Sequence, residues 1–246
     1  MCGDTSAQTH KKSVHKSQPA KPAPPQKVKV AEGRYELKRT EGALDRSFSE
    51  PWTLYKTNLG YELEEQWLVG TGKEGETNII DVKVSFVAGL NPIQVRIGGD
   101  DSPRQLLCSM ALQEFKCASA GQEASMPVEG SYNFFSPSPW MLGAIVRHGK
   151  KTPDQSTSVH LVRMAGMAES GPKLGSFQAD VQYVGDDELQ VGDQKISANI
   201  YELKAPSAIP SMLVWVSSEG VVLAMQDSSR PEQRMDLVEF KRYAKF

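Results

Sequence analysis

The chain has 246 residues, 39% of them hydrophobic and 24% charged, with a formal net charge of −2. That composition supplies apolar material for one large domain or two small ones. The near-neutral balance, with no basic stripe carrying interleaved aromatics in the folded part, argues against a nucleic-acid binder. No run of about 18 apolar residues is present to span a membrane as a helix.

Charge is unevenly spread. Residues 1–30 hold six lysines (Lys11, Lys12, Lys16, Lys21, Lys27 and Lys29) against one acid, Asp4, together with Pro19, Pro22, Pro24 and Pro25. Such a segment buries too little apolar surface to offset its chain entropy, and its prolines favour an extended spacer. The expected organisation is a disordered tether over 1–30 and a single β-rich domain over 31–246. Cys2 heads the tether in Met1-Cys2-Gly3-Asp4-Thr5-Ser6. This start resembles that of a mature bacterial lipoprotein, in which the Cys after the signal peptide carries the lipid and a short polar tether follows. The resemblance implies lipidation at Cys2, a lipid-anchored position in a bacterial cell envelope, and a domain facing the periplasm.

The folded part opens with Arg34-Tyr35-Glu36-Leu37-Lys38, which alternates polar and apolar as a one-sided strand does. Thr53–Thr57, Tyr61–Val69, Ile79–Val87 and Ile93–Ile97 follow, separated by glycine-bearing breakers such as Gly60 and Gly98-Gly99. Strands at this spacing predict an antiparallel meander. Next comes Leu106–Ala118, read as a hairpin with Leu112-Gln113 at its tip. That register sets Cys108 opposite Cys117 in a non-hydrogen-bonded pair, within disulfide range. The pair is therefore either a disulfide, as suits an exported protein, or two buried thiols.

A loop is expected over Gly121–Gly130, and then one helix over about residues 139–148. Ser138 is the N-cap candidate and Pro139 suits the first helical position. Met141, Leu142, Ile145 and Val146 form an apolar stripe, and Arg147, His148 and Gly149 read as a cationic last turn and a stop. About ten residues long, this helix has to dock on something apolar. Strands resume at Ser158–Met164, Gly175–Val184, Glu188–Val191 and Lys195–Leu203. The last segments are the hairpin of Met212–Val216 with Val221–Met225, then Arg234–Tyr243. The hairpin is apolar on both faces, with Met212, Val214 and Val216 on one and Leu213 and Trp215 on the other. A strand apolar on both sides is covered on both. The helix is the candidate cover for its second face.

The expected fold is mainly β: a strongly curved antiparallel sheet, or unclosed barrel, of about ten to twelve strands with one docked helix. This pattern resembles the lipoprotein-carrier fold, and Val214–Asp227 with Met235–Phe240 also resemble the C-terminal strands of little-studied bacterial lipoproteins. Carriers of that fold hold acyl chains in the hollow, so the resemblance implies a ligand pocket. The candidate lining is Tyr132, Phe134, Phe135, Trp140, Met141, Leu142, Ile145 and Trp215; the same aromatics could instead complete the core. The helix is accordingly a plug or a lid.

No nucleophile elbow, zincin or phosphate-loop motif occurs. His10 and His15 lie in the tether, His148 at the helix end and His160 in a strand. Asp100-Asp101 and Asp186-Asp187-Glu188 read as solvated turns rather than cation sites. The expectation is a non-catalytic protein without metal or cofactor. It would bind an apolar ligand (lipid or acyl chain) or an envelope protein partner, and would contact the membrane through its lipid. The alternative is a hydrolase-like enzyme using an acidic pair.

Overall fold

A computed structural model describes residues 27–38, 48–70, 77–99, 105–111, 113–136, 138–168, 171–205 and 209–246. Cys2, the rest of the tether to residue 26, and Asp100-Asp101 lie outside them. Fifteen strands and one helix follow one another. The strands of the first half are β1 (Val28–Lys38), β2 (Phe48–Thr57), β3 (Gly60–Gly70), β4 (Thr77–Val87), β5 (Asn91–Ile97), β6 (Leu106–Ala111), β7 (Glu114–Ser119) and β8 (Gln122–Pro127). A short β9 (Asn133–Phe134) leads into the helix α1 (Pro139–Val146). The second half is β10 (Ser156–Ala168), β11 (Gly171–Val191), β12 (Gln194–Lys204), β13 (Met212–Ser217), β14 (Val222–Asp227) and β15 (Arg234–Arg242).

All fifteen strands form one sheet, ordered β8 to β1, then β15 down to β9. The two blocks join where β1 pairs antiparallel with β15, so the first and last strands meet in the middle. Every pairing is antiparallel except that of β9 with β10. The sheet is not closed by hydrogen bonds; β8 and β9 are its edges. The class is the expected one, with more strands than expected. β1 begins at Val28, inside the stretch assigned to the tether. Gln122–Pro127, expected as loop, is β8; its residues are exposed or only half-buried, so no hydrophobic alternation marks it. Gly175–Val184 and Glu188–Val191 are one 21-residue strand, because Gly185, taken for a turn, is a β-bulge opposite Ile200. Its φ of +156° suits glycine there.

Cys108 and Cys117 face each other in the β6–β7 pair and are joined by a disulfide, with Cα atoms 4.1 Å apart. Gln113 takes the positive φ of 68° that the turn needs.

All eight residues of α1 are buried, so it is not amphipathic but enclosed. Trp140 and Met141 join a core built mainly on β1–β7, β14 and β15. Leu142, Ile145 and Val146 join a second core with Val159, Val181, Leu203, Val214 and Val222. α1 therefore fills the hollow and couples the two blocks. Four details of its ends differ from expectation. Ser138 has the extended backbone of an N-cap, but its hydroxyl makes no capping bond. Arg147 lies just past the helix, where its Nε donates to the carbonyl of Gly143 at 3.2 Å. His148 also lies past the helix, and partial burial and the Arg147 charge hold it below its usual pKa. Gly149 is not a left-handed stop; a Cβ there would lie 2.6 Å from Val181, so it permits close approach to β11.

The C-terminal hairpin is covered on both faces by two different elements. α1 lies against Val214, Val216 and Val222. The other face is covered from the far half of the β11–β12 hairpin. Beyond the Gly185 bulge that hairpin arches across the outside of the sheet. There Asp187 accepts a hydrogen bond from Trp215 Nε1 at 3.0 Å, and the tip glycine Gly192 approaches the Val238 carbonyl. Arg234 stacks on the Trp215 ring at 4.6 Å.

Candidate functional site

Two places concentrate chemistry. One is a groove on the outer face of the sheet. Successive partners across β15, β1, β2, β3, β4 and β5 line up as Lys241, Glu32, Thr53, Glu64, Lys83 and Arg96. Strand alternation sends these to one face, as polar residues on the solvent side of a half-buried sheet. The arched hairpin tip, Val191–Gln194, walls the groove, which encloses about 910 Å³. Several of its charges are already paired: Lys83 with Glu64 at 3.3 Å, Arg34 with Glu239, and Gln66 donating to Asp81 at 3.0 Å. Such pairs at a surface contribute only about 0–1 kcal/mol each. Exchanging them for a partner's charges therefore costs little. A smaller cavity of about 460 Å³ continues under the hairpin, between Leu189 and Leu223.

The other place is inside. Glu50 on β2 and Glu65 on β3 are 1% and 2% exposed and hydrogen-bonded to each other beneath the start of α1. Ser138 Oγ donates to both oxygens of Glu65, at 3.0 and 3.2 Å, which is why it does not cap the helix. Trp67 Nε1 donates to Glu65 Oε2 at 3.2 Å. Burial raises Glu65 to about 7, against the opposing pull of bonds from Glu50, Ser138 and Trp67. Burial, the Glu65 charge and its hydrogen bond push Glu50 well above the carboxylate range. Two carboxyls this close cannot both ionise in a dry interior, so the pair retains a shared proton. Glu50 Oε1 and the indole Nε1 atoms of Trp52 and Trp140 are also buried without partners among the described residues. The two indole rings meet edge to face at 4.8 Å. Gly33 makes room for them; a Cβ there would sit 2.6 Å from the Trp52 ring.

The eight candidate pocket residues are spread through the core. Phe134, Trp140, Met141, Leu142 and Ile145 are each at most 3% exposed. Phe135 packs against Phe177 in the second core. Tyr132 donates from its hydroxyl toward the carbonyls of Ala111 and Glu114, clamping the β6–β7 turn. Trp215 is on the opposite face of the sheet from α1, under the arched hairpin. None of the eight lines either cavity. The Asp186–Glu188 cluster is not a turn: Asp186 pairs with Lys151, Asp187 holds Trp215, and Glu188 pairs with Lys195.

Glu50 and Glu65 escaped the sequence reading, although a signal was there. Glu50 shares strand parity with Trp52 and Leu54, and Glu65 with Leu63 and Trp67. A carboxylate on an apolar parity is a buried carboxylate.

No protein-family model matches the chain, and neither a characterised protein nor a solved structure matches it. Among the described residues no helix is long and apolar enough to cross a membrane.

Proposed function

We propose that this chain is a non-catalytic binding protein of a bacterial cell envelope. It is lipid-anchored at Cys2, faces the periplasm, and takes its partner on the outside of the sheet. The observation that carries the reading is the filled hollow. Every residue of α1 is buried there, while the larger cavity is external, of mixed polarity and lined by exchangeable ion pairs. An apolar cargo needs an apolar cavity. A groove of alternating charges suits a polar segment of an envelope protein, held with salt-sensitive affinity. Among the described residues the buried acidic pair is Glu50 with Glu65, and at 1% and 2% exposure it offers no approach to a substrate.

The test places a photo-crosslinking residue at Thr53 or Gln66, in the groove, and at Val184, which is exposed on β11 outside it. The reading expects one discrete protein adduct in the native host from the groove positions alone, weakened by Lys83→Glu. Equal labelling from all three positions would reject the groove. In parallel, Cys2→Ala should release the full precursor from membranes washed at high salt, where surface electrostatics are screened, while the parent stays bound.

A further inference from the structure

The end of the sheet at which the chain emerges from residues 1–26 carries a second feature. In register across that end stand Val28, Lys56, Tyr61, Phe86 and Pro92. Just beyond them is the two-residue turn Asn58-Leu59, with Leu59 85% exposed. Val28 is 54% exposed, and Val87 and Ile93 are each 37% exposed at the same end. Tyr243, 47% exposed, is tied to this end by its backbone N–H, which donates to the Val30 carbonyl. A tight hairpin turn calls for glycine or small polar residues. Leu59 meets no such need, and its side chain projects into solvent.

Ion pairs and exposed lysines ring these apolar residues. Lys27, Lys29 and Arg242 are paired with Glu62, Glu32 and Glu219. Lys56 and Lys241 are exposed beside them, and Lys29 and Lys241 both lie over the Tyr243 ring. An apolar tip flanked by the exposed Lys56 and Lys241, with the neighbouring glutamates held by Lys27, Lys29 and Arg242, matches the interface of an anionic bilayer. Aromatic and aliphatic groups sit there at headgroup depth while lysines meet the lipid charge. The 26 residues preceding Lys27 join the domain at this same end and add four more lysines.

We infer that this end of the sheet is a lipid-docking face, with Leu59 at its tip, that meets an anionic membrane surface independently of any acyl chain on Cys2. The inference does not rest on the groove being a protein-binding site.

The experiment uses the full chain with Cys2→Ser, so that no lipid anchor contributes. It is co-sedimented with vesicles of mixed zwitterionic and anionic phospholipid, and with purely zwitterionic vesicles. Binding is expected to the anionic vesicles, falling as salt is raised. Leu59→Asp should lower the partition about tenfold or more, since a buried leucine is lost and a repelled charge gained. Lys56→Glu should lower it about fivefold or more, in line with one cation near the surface. Leu59→Trp should raise it. Ile79→Asp is the control, because Ile79 is 62% exposed but pairs with Leu68 toward the opposite end; its partition should equal that of the parent. If Leu59→Asp binds as well as the parent, the tether lysines alone hold the protein and the docking face is overturned. Binding that is absent from anionic vesicles, or equally reduced by Ile79→Asp, overturns it as well.

Discussion

A single buried carboxyl has consequences that bulk composition hides. Glu65 is raised to about 7, chiefly by burial, whereas in the unfolded chain it titrates near 4.3. Between those values the folded protein holds a proton that the unfolded chain has released. Stability from this group is therefore full below the unfolded value and is lost as pH rises through about 7. Thermal melts should show a higher midpoint at pH 5 than at pH 8, and Glu65→Gln should flatten that difference. A Glu65→Gln variant with the parent's full pH slope would contradict the shared-proton account. Tyr35 closes the same polar patch: its hydroxyl donates to the Val222 carbonyl at 2.9 Å, and burial raises it well above its usual value.

Among the elements, α1 decides whether the hollow is a core or a container. Leu142 is fully buried in a core drawn from five strands of the second block, β10 to β14. Truncating such a residue typically costs about 2–5 kcal/mol. Urea melts of Leu142→Ala should show a loss in that range with an unchanged slope; a loss below about 1 kcal/mol would mark α1 as a movable lid. The disulfide is the second element-scale test. Closing a loop between residues nine apart contributes about 2–3 kcal/mol, so Cys108→Ser with Cys117→Ser should lower stability by about that amount. Non-reducing peptide mapping should find the two cysteines linked. Both features were legible in the sequence, because each depends on local spacing: Pro139 before an apolar stripe, and two cysteines placed symmetrically about a two-residue turn. The bend at Gly185 was not, since whether a glycine ends a strand or bulges it depends on Ile200 across the ladder. β8 was missed for a related reason. Its strand character comes from pairing with β7 and not from a buried face of its own.

At the scale of the molecule, an unclosed sheet has two edges, a filled interior and an outer surface, and function is assigned here to the outside. The outer groove was invisible in the sequence because its rows come from six strands, including β1 and β15, which are about two hundred residues apart. The interior pair was hidden because strand parity was read for apolar residues alone. The central claim is that the hollow is a packed core and the partner binds outside it. Native mass spectrometry of the Cys2→Ser protein, isolated from its own host under gentle conditions, tests this most directly. The account predicts the bare chain mass, together with a complex containing a second protein that dissociates as ionic strength rises. A stoichiometric lipid or acyl mass on the chain, lost in Leu142→Ala, would contradict it.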